Sequence, residues 1–116
     1  RIPMPLVKVQ SSKEPEDKTA LLADLSGAVS EVTGKPQQYI MAVLDTASFM
    51  MEGKETEAAF VEIRGIGGVN GETNRALSEK VCSIINQRLS IPANRIYINF
   101  FDISASNWGW NGSTFG

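Results

Sequence analysis

Few side chains in this sequence could carry out chemistry, and their types already limit the reaction. The chain contains no histidine and a single cysteine, Cys82. Nucleophile arrangements of the Ser/His/Asp or Cys/His kind, histidine metal sites and internal disulfides are therefore excluded. Any catalysis must use other groups. The most prominent of these is Met4-Pro5, which places a proline at the start of a predicted strand.

Lys35 is a candidate for anion binding. It lies between Gly34 and Pro36, just past the end of a predicted helix. A cation at this place can interact favourably with the negative end of the helix dipole, or it can bind an anionic ligand. The residues alone leave both interpretations open.

The glycine stretch 65–71 follows a predicted strand and precedes a predicted helix, which is the usual context of a phosphate-binding loop. It lacks the third glycine of a dinucleotide fingerprint, because Asn70 stands there, and no Lys-Ser or Lys-Thr follows as in a P-loop. The stretch therefore predicts a tight structural turn rather than a nucleotide site.

Aromatic and polar side chains crowd the last fifth of the chain. They can form a core and interface cluster, or they can wall a pocket for a flat, apolar ligand. Taken singly, the residues favour neither interpretation. The set comprises Tyr97, Asn99, Trp108, Trp110 and Phe115.

Composition limits the partners of the protein. The chain has 116 residues, a formal net charge of -2 and a pI near 5.1, which suit a single domain, 1–116, with no cationic footprint for nucleic acid. No apolar run reaches membrane-spanning length, and no signal-peptide pattern is seen, so we expect no membrane partner and a cytoplasmic location. Met4 before the small Pro5 is typical of a natural start. Residues 1–4 are therefore expected to be an extension, from processing or expression, ahead of a mature N-terminus at Pro5.

The elements that position these residues form a repeat. Strands are predicted at 6–10, 39–44, 58–63 and 96–101. Two helices are predicted between them, whose apolar residues from Leu21 to Val32 and from Leu77 to Ile85 face inward. Segment 45–56 is predicted as a loop with one helical turn at 49–51. An offset of 56 aligns the two halves without a gap, matching Val7 with Ile63, Leu21 with Leu77, Leu25 with Val81, Ala28 with Ile84, Val29 with Ile85, Pro36 with Pro92 and Ile40 with Ile96.

The repeat predicts an α+β fold of two tandem β-α-β units, with a four-stranded sheet and both helices on one face. The strands at 39–44 and 96–101 are apolar at consecutive positions, so side chains point to both faces of the sheet. The face without helices would then be apolar and uncovered. We therefore expect a homo-oligomer whose sheets pack inward.

Several motifs in order along the chain resemble the macrophage migration inhibitory factor family of the tautomerase superfamily. The strongest are Thr-Gly-Lys-Pro-Gln-Gln-Tyr-Ile at 33–40, Arg-Ile-Tyr-Ile-Asn at 95–99 with Asp102 behind it, and Gly-Trp-Asn-Gly-Ser-Thr-Phe at 109–115. Met4-Pro5 and Ile-Gly-Gly at 66–68 ahead of Asn74-Arg75 complete the likeness. The resemblance implies a mixed four-stranded sheet assembled as a homotrimer, in agreement with the repeat.

The resemblance also implies an isomerase that needs no cofactor or metal. It implies keto-enol tautomerisation of phenylpyruvate-like 2-oxo acids and dopachrome-type aromatic enols, with an N-terminal Pro5 as general base. Lys35 matches the lysine that binds the substrate carboxylate, and the backbone amide of Ile63 matches a second substrate contact. Tyr97 and Asn99 match residues supplied by the neighbouring subunit, and Tyr39, Trp110 and Phe115 match the aromatic walls.

Two positions depart from the family pattern. Its cytokine members carry a Cys-x-x-Cys near the third strand, whereas residues 55–59 here read Glu-Thr-Glu-Ala-Ala, so a thiol-oxidoreductase activity is not implied. Trp108 stands at the pocket rim where a smaller aliphatic residue is usual. It would narrow the entrance and alter the substrate range.

Three functions stay open. The first is the tautomerase, which requires removal of residues 1–4, because a proline nitrogen inside a peptide bond has no basic lone pair. The second is a cytokine-like binding protein, secreted by a non-classical route, with a vestigial pocket; no feature of the sequence demonstrates receptor binding. The third is a related superfamily reaction, such as hydration or decarboxylation of a substituted acrylate, with a protonated Pro5 acting as acid.

Overall fold

The computed structural model describes residues 5–116, so the expected extension at 1–4 lies outside the described residues. Short 3-10 helices occupy Gln37–Tyr39, Ala93–Arg95 and Ala105–Asn107. In chain order, the main elements are β1 (Leu6–Ser11), α1 (Lys18–Thr33), β2 (Met41–Thr46), β3 (Ala59–Gly65), α2 (Gly71–Leu89), β4 (Ile96–Asp102), β5 (Gly109–Trp110) and β6 (Ser113–Thr114).

Both helices have side-chain caps at the start and a left-handed residue at the end. The Asp17 carboxylate accepts a hydrogen bond from the backbone amide of Ala20 at 3.0 Å, and the Asn70 side chain accepts one from Thr73 at 3.0 Å. At the other ends, Gly34 has φ of 72° and Ser90 has φ of 57°. The helices therefore begin and end at local signals.

The main sheet has the strand order β2-β1-β3-β4. Each half pairs its own two strands in parallel, β1 with β2 and β3 with β4, and the halves meet antiparallel through β1 and β3. Val7 lies opposite Ile63 in that central pair. The predicted tandem of β-α-β units and the mixed sheet are thus confirmed.

Alternate strand residues face the helices and form the core. Val7, Val9 and Val61 are fully buried together with helix residues such as Leu25 and Ile85. The opposite face of the sheet, called the outer face below, is open and mixes apolar with polar side chains, with Met41 64% and Tyr97 66% exposed. The oligomer prediction rests on an uncovered apolar face; the face is uncovered, but polar residues such as Lys8 and Glu62 lie on it beside the apolar ones.

The segment between β2 and β3 differs from the prediction. Met51 and Lys54 form an isolated β-bridge with two backbone hydrogen bonds of 3.0 Å, around a turn in which Glu52 and Gly53 both have positive φ. The predicted helical turn at 49–51 is therefore wrong. Left-handed residues cannot continue a right-handed helix, and they are typical of a tight hairpin turn.

No helix within residues 5–116 is long and apolar enough to cross a membrane. Cys82 lies half-buried in α2, and burial raises the pKa of its thiol. This places the cysteine among structural rather than reactive thiols.

Candidate active site

Pro5 lies at the entrance to β1 and is buried. Its carbonyl oxygen accepts a hydrogen bond from the Met41 amide at 3.1 Å, which ties it to β2. On the other side, Leu6 lies opposite Arg64 in the antiparallel pair, so Pro5 comes next to Gly65. The proline is thus held between the two halves of the chain.

A cavity of about 480 Å³ opens beside Pro5. Its walls come from the start of β1, the 3-10 helix before β2, the start of β2, the end of β3 and the segment after β4, and they are mainly aromatic and aliphatic. The lining residues are Pro5, Leu6, Tyr39, Met41, Arg64, Ile103, Asn107, Trp108, Gly109 and Trp110. Such a concave, largely apolar space with a few polar groups is typical of a small-molecule site.

The last segment of the chain forms a small hairpin that presents two tryptophans to this cavity. Strands β5 and β6 pair antiparallel around Asn111 and Gly112, which both have positive φ. The Phe115 amide donates to the Trp108 carbonyl at 3.2 Å, and the Phe115 ring stacks on Trp110 with centroids 5.9 Å apart. Phe115 therefore supports the Trp110 wall without lining the cavity itself.

Lys35 lies beside the glycine loop and outside the cavity lining. Its Nζ donates to the Gly67 carbonyl at 3.2 Å, and a Cβ at Gly68 would come within 3.3 Å of that atom. Burial lowers the pKa of the Lys35 ammonium, and the nearby Asp102 carboxylate opposes this shift. Because Nζ is also 3.8 Å from the Cβ position of Gly65, the ammonium lies close to the residue next to Pro5.

The glycine loop is a turn fastened from both sides. Gly67 and Gly68 have φ of 74° and 75°, which favours glycine at both positions. The Gly67 amide donates to Asp102 Oδ1 at 3.1 Å, while its carbonyl accepts from Lys35. The predicted tight turn is confirmed, and its contacts place Lys35 and Asp102 on one loop.

Besides Lys35 and Phe115, three more predicted site residues lie outside the cavity lining. Ile63 is 4% exposed and belongs to the core facing the helices. Tyr97 and Asn99 lie on β4, an edge strand separated from β1 by β3, and both are exposed. The expectation that a neighbouring subunit supplies this pair to the site stays a prediction.

The cavity also contains residues that the sequence analysis did not propose, chiefly Arg64, Met41 and Asn107. Arg64 Nη2 lies 3.2 Å from Glu62 Oε1, and its guanidinium carbon is 4.2 Å from the centre of the Phe101 ring. One signal could have found it. Because side chains alternate along a strand, a buried Ile63 places Arg64 on the outer face at the end of β3.

No cluster of three or more His, Cys, Asp or Glu residues in the described part of the chain could hold a metal ion. The polar groups next to the cavity are an arginine, an amide and the tips of aromatic side chains. This set can bind an anion and orient an aromatic ring.

Comparison with known proteins places the chain among proteins of this architecture. A family model described as Macrophage migration inhibitory factor matches residues 4–116. Macrophage migration inhibitory factor of Xenopus laevis is 41% identical over 96 residues, which are 82% of this chain and 84% of that protein.

Solved structures extend the likeness to the fold. The crystal structure of a macrophage migration inhibitory factor homologue from Prochlorococcus marinus aligns with a TM-score of 0.92 and 42% identity, covering 96% of this chain and 99% of the other. A fused 4-OT protein described as a symmetric trimer aligns with a TM-score of 0.83 and 25% identity, covering 94% of each chain.

Proposed function

This chain belongs to the macrophage migration inhibitory factor family, and on that premise we propose that it is a keto-enol tautomerase for phenylpyruvate- and dopachrome-type compounds. The family supports a tautomerase or cytokine-like function in general terms. The observation that carries the finer proposal is the position of Pro5, which borders an aromatic-walled cavity large enough for a substituted phenyl ring.

Pro5 would act as the general base through its nitrogen. A free α-amino group titrates at about pH 8 in water, and burial disfavours the charged form of an amine, so a neutral amine is available at neutral pH. The nitrogen takes a proton from C3 of the 2-oxo acid, and the electron pair of the broken C–H bond forms the C2–C3 double bond. The protonated Pro5 nitrogen then gives this proton to the carbonyl oxygen, which becomes the enol hydroxyl, and the amine is neutral again.

This role requires a free amino group. In the 116-residue chain the Pro5 nitrogen is part of the Met4-Pro5 peptide bond and carries neither a basic lone pair nor a proton. The proposed activity therefore depends on removal of residues 1–4. A chain that keeps them should fold in the same way but be a poor tautomerase.

The other residues of the site have binding roles in this proposal. Lys35 holds the substrate carboxylate, with the Ile63 backbone amide as a further contact. Tyr39, Trp108 and Trp110 enclose the substrate ring, with Phe115 stacked behind Trp110. Trp108, the larger residue at the rim, narrows the entrance and restricts the ring substituents that fit.

We further propose a homotrimer in which a neighbouring subunit supplies Tyr97 and Asn99. The open outer face and the exposure of Met41 and of Tyr97, which lies on an edge strand, support this arrangement. The symmetric trimer of the fused 4-OT protein gives the same oligomer on a similar fold.

The proposal is tested on protein whose first residue is Pro5. Conversion of enol to keto phenylpyruvate should exceed the buffer rate, and Pro5→Gly should lower kcat/KM at least about 100-fold, since a positioned base contributes about that much. Sedimentation should show the same oligomer for both proteins. If the protein that begins at Pro5 shows no rate above buffer, the proposed tautomerase activity is refuted. If Pro5→Gly keeps its rate, the role of Pro5 as general base is refuted.

A further inference from the structure

We infer that Arg64 binds the carboxylate of the substrate and makes the site selective for acids over uncharged analogues. This rests on the proposed function, but it concerns a residue to which neither the family resemblance nor the comparisons give a role. Arg64 is the one charged residue among the described residues that line the cavity with Pro5. Among residues 5–116, an anionic ligand in this cavity thus meets a single cationic side chain on the walls.

The position of Arg64 follows from the strand register. Arg64 lies opposite Leu6 in the pair of β3 with β1, and Leu6 directly follows Pro5. Both Leu6 and Arg64 line the cavity, as does Pro5. The acidic group of a 2-oxo acid is bonded to the carbonyl carbon next to the reacting carbon, so its binding group must lie near the base.

The guanidinium of Arg64 is held in place before any ligand binds. Glu62 pairs with Nη2 at 3.2 Å, and the Phe101 ring lies 4.2 Å from the guanidinium carbon. A guanidinium has five N–H donors, so one bond to Glu62 leaves others for a bidentate contact with a carboxylate. Because the side chain is already ordered, less rotamer entropy is lost on binding.

Lys35 is differently placed. Its ammonium already donates to the Gly67 carbonyl, lies near Asp102 and is outside the cavity lining. Lys35 approaches Gly65 from the glycine loop, whereas Arg64, the preceding residue on β3, approaches from the outer face. Lys35 and Arg64 thus flank Gly65, the residue next to Pro5: Lys35 holds the carboxylate from the side of the glycine loop, as proposed above, and Arg64 holds it from the cavity side.

The test compares phenylpyruvate with its methyl ester, which has the same ring and carbonyl but no charge. It uses protein that begins at Pro5, because the buried core residues all lie between Val7 and Ile96. Arg64→Gln should raise the KM for the acid about tenfold, as expected for loss of a charge-assisted hydrogen bond, and change the KM for the ester less than about twofold. The kcat for the acid should change less than KM, since this contact is made in ground and transition states alike.

Two control variants separate binding from net charge and from folding. Arg88→Gln removes the same charge from an arginine that pairs with Asp24 at 2.8 Å outside the cavity, and it should leave both KM values unchanged. Arg64→Lys keeps the charge but not the fork geometry, and its KM for the acid should fall between wild type and Arg64→Gln. Equal changes for acid and ester, or no change for the acid, would overturn the inference.

A binding measurement keeps the inference separate from the proposed reaction. In titration calorimetry, wild-type protein should bind 3-phenylpropionate more tightly than 3-phenylpropanamide. Arg64→Gln should lower the ratio of the two affinities about tenfold. This outcome supports Arg64 even if no tautomerase rate is found. Equal binding of acid and amide by the wild type would overturn the role of Arg64 and would leave the proposed role of Pro5 as general base unaffected.

Discussion

The two helix-to-strand connections of the repeat share one backbone but carry different side chains. In the first half, α1 ends at Gly34 and the chain enters β2 through Pro36 and a 3-10 helix; in the second, α2 ends at Ser90 and Pro92 leads into the same arrangement before β4. Even the side-chain support recurs. Ser30 Oγ donates to the Lys35 carbonyl at 2.7 Å, and Asn86 Nδ2 donates to the Ile91 carbonyl at 3.2 Å.

The difference lies in two positions that the offset of 56 pairs. Lys35, a cation beside the glycine loop, corresponds to Ile91, which is fully buried in the core. Tyr39, which lines the cavity, corresponds to Arg95, which is 7% exposed and bonds to backbone carbonyls of the loop between β2 and β3. One copy of the connection thus serves the candidate site, and the other serves the fold.

The largest effect is expected from exchanging the first pair. Ile91→Lys would place an unpaired ammonium in a fully buried position and should lower the free energy of unfolding by about 4 kcal/mol. Lys35→Ile at the equivalent place should lower it by less than about 1 kcal/mol, yet should raise the KM for phenylpyruvate about tenfold. Urea denaturation and steady-state kinetics provide the two measurements.

Ile91→Ala serves as the reference if Ile91→Lys does not fold. It should lower the free energy of unfolding by about 3 kcal/mol, because the shortened side chain leaves a void in the core. Equal stability losses for Ile91→Lys and Lys35→Ile would show that the two connections do not divide their roles.

The second pair should give a smaller but still opposite result. Arg95 donates to the carbonyls of Glu57, Met51 and Thr56 at 2.9 to 3.0 Å, so Arg95→Met leaves these acceptors without their donor and should cost about 3 kcal/mol. Tyr39→Phe should cost less than about 1 kcal/mol. Hydrogen exchange in the loop 47–58 should accelerate in Arg95→Met and not in Tyr39→Phe. Unchanged exchange in this loop of Arg95→Met would contradict the role of Arg95 in holding it.

The smallest effect is a pH dependence that belongs to the first half alone. Burial lowers the pKa of Lys35 below its usual 10.5, with Asp102 opposing, so between the folded and unfolded pKa values the unfolded chain binds more protons. The free energy of unfolding should then rise with pH across that window, up to the unfolded pKa.

This dependence is measured as the stability difference between wild type and Lys35→Met as the pH is raised towards 10.5, the usual pKa of lysine. Lys18→Met, an exposed lysine of α1, serves as the matched variant. A difference that stays constant or falls as pH rises would contradict the lowered pKa of Lys35.

Most of the fold could be predicted because its signals are periodic and local. Leu21, Leu25 and Val29 recur at helical spacing, and their partners at the offset of 56 occupy the same core. The turn at Glu52-Gly53 was missed because an adjacent apolar run, 49–51, suggested a helix, whereas positive φ at both turn residues selects a hairpin. The tail hairpin had a readable signal in Asn111-Gly112, a dipeptide typical of such turns.

The site was predicted less completely, since its residues meet through tertiary contacts. Pro5, Tyr39, Trp108 and Trp110 line one cavity, whereas Tyr97, Asn99 and Phe115 of the aromatic and polar set in the last fifth of the chain do not. Arg64 was missed because a single charged residue at a strand end carries no motif, and only the register with β1 brings it beside Leu6. Arg95 begins the motif at 95–99, but no feature of the sequence indicates that this arginine is buried.

Pro5 joins the sheet through its carbonyl oxygen, which accepts from the Met41 amide. Its nitrogen has no hydrogen when it is part of a peptide bond, so no hydrogen bond of the sheet depends on that atom. Cutting the Met4-Pro5 bond would therefore alter the basicity of one atom and leave the strand pairing intact. Under the proposed function, this makes the full chain a suitable basis for a protease reporter: a recognition sequence placed ahead of Pro5 would keep the enzyme silent until the protease removes it.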